Sequence, residues 1–128
     1  MDHVAEELKE RTKRFAVSVL ELTETFPQTP AGQAVARQLA RAGTGVAGNY
    51  RSACRTRSHK EFTARLGIVL EEVDETELWL EVAAERAMGN ATLRLKLLDE
   101  SKQLRAIFSK AFLTARRRDS APTNPPCA

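Results

Sequence analysis

Residues 41–51 read RAGTGVAGNYR, with three glycines among small side chains and an arginine at each end. Three structures fit such a composition: a phosphate-binding loop, a flexible linker, or a helix with little side-chain bulk. A P-loop or Rossmann loop is excluded, because no strand is predicted before the stretch and no Gly-Lys-Ser/Thr follows it. We therefore interpret it as part of a helix, where each glycine costs about 1 kcal/mol relative to alanine. Close packing against neighbouring helices would offset that cost.

Prolines and capping residues divide the chain into four predicted helices. A proline at position 27 ends the first, because the residue before a proline disfavours the helical conformation. Thr29 and Pro30 suit the N-cap and first position of the second helix. Ser58–Glu61 is a capping box that starts the third, and the pair Gly89-Asn90 separates it from the fourth. The predicted helices span residues 3–26, 30–57, 59–88 and 91–117.

Apolar residues recur at helical spacing in all four segments. The predicted core residues are Val4, Leu8, Phe15, Val19, Leu22 and Phe26 in the first helix; Val35, Leu39, Ala42, Val46, Tyr50 and Ala53 in the second; Phe62, Leu66, Val69, Val73, Leu80 and Ala84 in the third; and Leu93, Leu97, Leu104, Phe108 and Ala111 in the fourth. Similar lengths and short connections predict an all-α protein, an antiparallel up-down-up-down four-helix bundle over residues 1–118. Residues 119–128 are predicted to form a flexible, proline-rich tail.

The second helix is basic along one side, and the third helix is acidic. The side of the second helix opposite its apolar residues carries Arg37, Arg41, Thr44, Gly48, Arg51 and Arg55. No acidic residue occurs between Thr25 and Lys60, whereas residues 71–85 contain seven. Two interpretations stay open. The acidic helix neutralises the basic one, within the chain or between copies, or the basic side binds phosphates.

The third helix has a second line of residues opposite its core line, formed by Ile68, Glu72, Glu75, Trp79, Val82 and Arg86. One apolar stripe per helix is enough for a monomeric bundle. An apolar line rimmed by charge and containing a tryptophan is typical of a protein–protein surface. We predict an oligomer interface formed by Ile68, Glu72, Glu75, Trp79 and Val82, in which the two glutamates meet arginines of a neighbouring copy. The alternative is that Trp79 covers the edge of the bundle.

Composition and motifs exclude several function classes. The formal charge of +3 is too small by itself to indicate nucleic-acid binding. The N-terminus lacks a signal-peptide core and no apolar run approaches the ~20 residues of a membrane span, so we expect a cytoplasmic protein without a membrane partner. Cys54 and Cys127 lack metal-ligand spacing, and His3 and His59 have no nucleophile at a recognisable distance. No Glu-x-x-His motif of a di-metal bundle occurs. We predict a non-enzyme with no catalytic residue, metal site or cofactor.

The run from Arg41 to Leu80 resembles small bacterial four-helix-bundle proteins first noted as reading frames within intervening sequences of large-subunit ribosomal RNA genes. The resembling positions are Arg41, Gly43, Thr44, Val46, Asn49, Tyr50, Arg51, Ser58, Phe62, Leu66, Ile68, Glu72, Asp74, Glu75, Thr76, Trp79 and Leu80, and Gly45 stands where the family usually has serine. The resemblance implies a homopentamer and structural or interface roles for Asn49, Tyr50, Glu72, Glu75 and Trp79. It also relates the chain to the accessory variability protein of diversity-generating retroelements, which binds nucleic acid and a reverse transcriptase.

These observations predict a small homo-oligomer, pentameric by the resemblance, that binds RNA or DNA backbone without sequence preference. The expected phosphate contacts are Arg37, Arg41, Arg51, Arg55 and Arg57, with Arg116, Arg117 and Arg118 as a mobile basic extension. By the resemblance, a reverse transcriptase or another protein is a further partner. The alternative is a non-catalytic scaffold, without a nucleic-acid role, whose arginines pair with Glu72 and Glu75.

Overall fold

The computed structural model describes residues 3–120, which form the four helices α1 (His3–Thr23), α2 (Pro30–Ala53), α3 (His59–Glu85) and α4 (Ala91–Ser120). Each helix packs against the next, and α4 packs against α1, whereas the diagonal pairs make no close backbone contact. Because short connections join the helices, neighbours run antiparallel. The predicted all-α four-helix bundle is thus confirmed. The packing of α1 on α4 is the least extensive of the four seams.

The helices begin where local capping signals predict. The Thr29 hydroxyl accepts a hydrogen bond from the amide of Gly32 (3.1 Å), and the Ser58 hydroxyl accepts one from the amide of Glu61 (3.1 Å). Asn90 does the same at the start of α4. Each bond satisfies an amide that has no partner within the first turn of a helix.

The helix ends differ from the prediction. α1 ends at residue 23 instead of 26 and α2 at 53 instead of 57, while α4 continues to 120 instead of 117. α2 ends in tighter turns, because the amides of Arg55 and Thr56 bond the carbonyls three residues before them. Arg116, Arg117 and Arg118 are helical, and residues 119 and 120 belong to α4 instead of the predicted tail. The rest of that tail, residues 121–128, lies outside the described residues.

α3 ends at Glu85 in a Schellman motif centred on Ala87. The amide of Met88 donates to the carbonyl oxygen of Ala83 (2.8 Å), and the amide of Ala87 donates to the carbonyl oxygen of Ala84 (3.1 Å). Ala87 itself has φ of 52°. The prediction that Gly89 caps α3 is therefore wrong. Gly89 has φ of 77° and lies further along the connection.

The core confirms most of the predicted apolar lines. All six residues predicted for α2 are buried, as are Phe15, Val19, Leu22, Phe26, Leu66, Val69, Val73, Leu80, Leu97, Leu104 and Phe108. Two predictions were wrong: Val4 is 59% exposed, and Ala84 is exposed because its neighbour Ala83 points inward. Thr12, Thr76 and Ser101 are also buried, and each hydroxyl donates to a carbonyl of its own helix.

Of the three glycines in residues 41–51, Gly43 packs closely against a neighbouring helix, Gly45 lies against the end of a flexible side chain, and Gly48 is open. A β-carbon at Gly43 would lie 2.8 Å from Val19 Cγ1 on α1, and one at Gly45 would lie 2.8 Å from Glu72 Oε2 on α3. At Gly48 an added β-carbon would meet nothing within 4 Å. The stretch is a helix, as predicted, but the packing explanation is wrong for Gly48.

Candidate functional site

The basic side of α2 lies in solvent, as its helical spacing predicts. Arg37, Arg41, Thr44, Gly48, Arg51 and Arg55 are all exposed, and Arg57 is exposed in the connection to α3. Within residues 3–120, four of these arginines form no salt bridge, namely Arg37, Arg51, Arg55 and Arg57. Their guanidinium groups are therefore accessible to an anionic ligand.

Arg41 differs from the other arginines because two carboxylates of α3 in the same chain engage it. Its guanidinium donates a hydrogen bond to Glu75 Oε2 and lies 3.6 Å from Glu72 Oε1. The hydrogen bond from Arg41 lowers the pKa of Glu75, whereas burial raises the pKa of Glu72. Trp79 Nε1 also donates to Glu75 Oε2 (3.4 Å). At this position the basic helix is neutralised within the chain.

The residues predicted to form an oligomer interface lie along the boundary between α2 and α3. Ile68 is 37% exposed, while Glu72 and Glu75 are half-buried beside Arg41. Trp79 and Val82 are partly buried and pack against the core, and Arg86 is exposed. Of the predicted line, Ile68 presents the most accessible apolar surface.

The fold brings two basic segments that are distant in sequence to one end of the bundle. α2 and α4 run in the same direction, so the connection after α2 lies beside the end of α4. His59, in the first turn of α3, joins them: its Nε2 lies 3.1 Å from the carbonyl oxygen of Ala115 and 3.4 Å from Asp119 Oδ1. His59 lines one cleft with Arg57 and another with Arg118. We name this region the basic end; it comprises Arg51, Arg55, Arg57, Lys60, Arg116, Arg117 and Arg118.

Two further basic residues near this region come from α1 and were missed by sequence reasoning. Lys9 and Lys13 line a cleft with Ala47, Gly48 and Arg51 of α2. They lie on a different helix from the predicted arginines, so no spacing along the chain relates them. Their own spacing of four residues was the available signal. Each also pairs with a glutamate on α1, at 2.8 Å for Lys9 and 3.4 Å for Lys13.

Other candidate chemistry is sparse within the described part of the chain. No group of three or more His, Cys, Asp or Glu side chains there is placed to hold a metal ion. Cys54 is a free, partly buried thiol, and His3 lies 3.2 Å from Glu7. None of the helices in residues 3–120 has the length and apolar character to cross a bilayer.

A family model described as 23S rRNA-intervening sequence protein matches residues 6–110. The chain belongs to this family. This match confirms the family resemblance of the run from Arg41 to Leu80 and extends it over most of the bundle. A comparison with curated proteins gives no match. The chain is also similar to a solved structure from Bacteroides thetaiotaomicron, described as a protein of unknown function from the S23 ribosomal protein family. The TM-score is 0.74 at 24% identity, covering 81% of this chain and 96% of the other. That likeness shows the fold alone.

Proposed function

We propose that this member of the 23S rRNA-intervening sequence protein family is a non-catalytic, cytoplasmic homo-oligomer that binds the phosphate backbone of nucleic acid through its basic end. One observation carries the proposal: the contact of His59 with Ala115 sets the arginines that follow α2 beside those that end α4. Two basic segments that are distant in sequence would thereby form one cationic surface. The pentameric state is taken from the family resemblance.

We propose a smaller set of phosphate contacts than the sequence predicts. Arg41 leaves the set, because binding a phosphate would cost its interactions with Glu72 and Glu75. Arg37 lies more than two helical turns from Arg51, towards the other end of α2. The remaining predicted residues, Arg51, Arg55, Arg57, Arg116, Arg117 and Arg118, all belong to the basic end. Lys60 is added by its position beside His59.

The surface chemistry favours binding without sequence preference. All seven aromatic residues of the chain lie in the described part, and every one is buried or partly buried. Bases would therefore find no exposed ring on which to stack. Phe112 lies 5.6 Å beneath the guanidinium of Arg116, so that ring is already covered by a cation. Affinity would come from phosphate contacts and would fall steeply with salt.

The test measures binding of labelled RNA and DNA, single-stranded and duplex, at several salt concentrations. The test variant is Arg55→Gln/Arg57→Gln/Arg117→Gln. The control, Arg37→Gln/Arg86→Gln/Lys102→Gln, removes the same charge away from the basic end. We expect the test variant to reduce the slope of log K against log salt on duplex by about 2 to 3, and the control to leave it nearly unchanged.

Two results would overturn the proposal. Equal losses in both variants would show that total charge, not the basic end, determines binding. Absence of binding by the wild type at about 50 mM salt would leave the alternative function, a scaffold that binds a protein such as a reverse transcriptase. The pairing of Arg41 with Glu72 and Glu75 favours that alternative, since it uses one predicted phosphate contact for packing α2 on α3.

A further inference from the structure

The outer face of α3 carries acidic residues that the bundle leaves without cationic partners. No basic residue occurs from Leu66 to Glu85. Arg41 engages Glu72 and Glu75, and Arg105 engages Glu77. The other acidic residues of α3's second half are exposed and form no salt bridge within residues 3–120; they are Glu71, Asp74, Glu81 and Glu85.

The same face also exposes apolar side chains. Ile68 is 37% exposed and Leu78 is 48% exposed. With Glu71, Glu75 and Val82 they follow alternating steps of three and four residues, which is the spacing of a helix face that packs against other helices. We name this surface, from Ile68 to Val82 with its flanking carboxylates, the outer face of α3.

A groove of opposite character lies between α1 and α4, at the seam where the bundle packs least, and the first two turns of α3 also line it. Its apolar lining includes Leu8, Phe62, Leu66, Ile107 and Ala111. The charged or titratable residues that line it are Lys110, Arg118 and His59, and no acidic residue lines it. Asp119 lies beside it but is held 3.4 Å from His59. We name this surface the α1–α4 groove.

We propose that the outer face of α3 in one copy docks into the α1–α4 groove of a second copy. This inference rests on the proposed self-association and specifies its two surfaces. Ile68 and Leu78 would leave water against the apolar lining of the groove, while Glu71 and its neighbouring carboxylates would face Lys110 and Arg118. In the oligomer Arg118 would therefore serve this interface instead of binding phosphate. Both surfaces have an apolar centre, and the charges around the two centres are opposite in sign.

The two surfaces lie on different sides of α3, because the residues of that helix that line the groove, His59, Phe62 and Leu66, are on the side opposite Ile68 and Leu78. Every copy would therefore donate one surface and accept with the other. Copies joined by such heterologous contacts form a closed ring if the rotation from one copy to the next completes a full turn, and an open filament if it does not. A ring is the arrangement that fits a discrete oligomer.

The experiment uses two variants that each block one surface at an exposed position. Leu78→Arg places a cation on the outer face of α3. Thr114 is exposed and lines the α1–α4 groove, so Thr114→Trp fills that groove. Leu95→Arg, at a 70% exposed residue outside both surfaces, is the control for adding an arginine. Circular dichroism confirms that each variant folds, and light scattering after gel filtration gives its mass.

We expect the wild type and Leu95→Arg to be oligomers and each blocked variant to be a monomer. A one-to-one mixture of the two blocked variants should form a dimer and nothing larger, because one intact face and one intact groove remain. A mixture that stays monomeric, or a single variant that keeps the wild-type mass, overturns this pairing of surfaces. A monomeric wild type overturns the proposed self-association as well, while nucleic-acid binding is judged separately by its salt dependence.

Discussion

Gly43 of α2 lies directly against Val19 of α1, so closely that a β-carbon on Gly43 would come within 2.8 to 3.0 Å of three atoms of the valine side chain. Both residues are buried, and Val19 is fully enclosed. The missing side chain at position 43 therefore sets how near the two helices approach. Gly48, five residues further along the same helix, is exposed, and a β-carbon there would meet no atom within 4 Å.

These two glycines give a matched pair of substitutions. We expect Gly43→Ala to lower the free energy of unfolding by about 1 to 3 kcal/mol, because the new methyl group must displace Val19. Gly48→Ala should raise it by about 1 kcal/mol, since only the helix propensity changes. Urea unfolding of both variants measures the difference. Equal effects of the same sign would contradict this account of how α1 and α2 pack.

The connection after α3 offers a second pair of substitutions with opposite expected effects. Ala87 adopts a left-handed conformation that costs a non-glycine residue about 1 kcal/mol, so Ala87→Gly should stabilise the protein by up to that amount. Gly89→Ala should destabilise it, because φ is 77° there and the new β-carbon would lie 2.7 Å from Phe26 Cδ1. Thermal unfolding tests both. A stabilising Gly89→Ala would show that the connection rearranges freely.

The two carboxylates beside Arg41 should respond to acid in opposite directions. The hydrogen bond from Arg41 holds the pKa of Glu75 below its ordinary value of 4.5, so this stabilisation is present at neutral pH and is lost as pH falls from 4.5 through the lower pKa. Burial raises the pKa of Glu72 above 4.5, so its ionised form costs stability at neutral pH and that cost disappears on acidification.

Substitution of each glutamate separates the two effects. Glu75→Gln should lower the melting temperature at neutral pH, and its difference from the wild type should shrink at about pH 3. Glu72→Gln should lower the neutral melting temperature less, because it also removes a desolvated charge. Melting curves from neutral pH to about pH 3 provide the measurement. A larger loss from Glu72→Gln at neutral pH is the contrary result.

A buried carboxylate between α3 and α4 gives the fourth prediction. Glu77 is 7% exposed, and within the described residues its Oε1 accepts no aligned hydrogen bond, although Arg105 Nε lies 3.0 Å away as an ion pair. Arg105→Gln should cost about 1 to 3 kcal/mol, since it leaves a buried charge without a counterion. Adding Glu77→Gln should recover part of that loss. Urea unfolding of the single and double variants measures the coupling, and strictly additive effects would contradict it.

Much of the fold could be predicted because its signals are local. Thr29, Ser58 and Asn90 cap helices through bonds to amides three residues away, and the apolar periodicity of α2 identified its buried face completely. The helix ends were less predictable. At the end of α3, Ala87 adopts the left-handed conformation that glycine usually occupies. The nearby Gly89 instead leaves room for the ring of Phe26.

The candidate site was predictable only residue by residue. Helical spacing correctly placed the arginines of α2 in solvent, but it did not show that Arg41 faces Glu75, since that depends on how α2 and α3 are rotated about their axes. The position of Lys9 and Lys13 beside Arg51 was likewise not predictable, because residues on separate helices become neighbours only through packing.

The sequence by itself determined the number of helices, where each begins, which side of α2 is buried and the family of the chain, because periodicity, caps and family motifs are properties of short segments. Only the tertiary structure decided which charges meet. It joined Arg41 to the carboxylates of α3, and through His59 it placed the end of α4 beside the arginines that follow α2. Electrostatic interactions depend on distances in space, and those distances are fixed by helix packing rather than by separation along the chain.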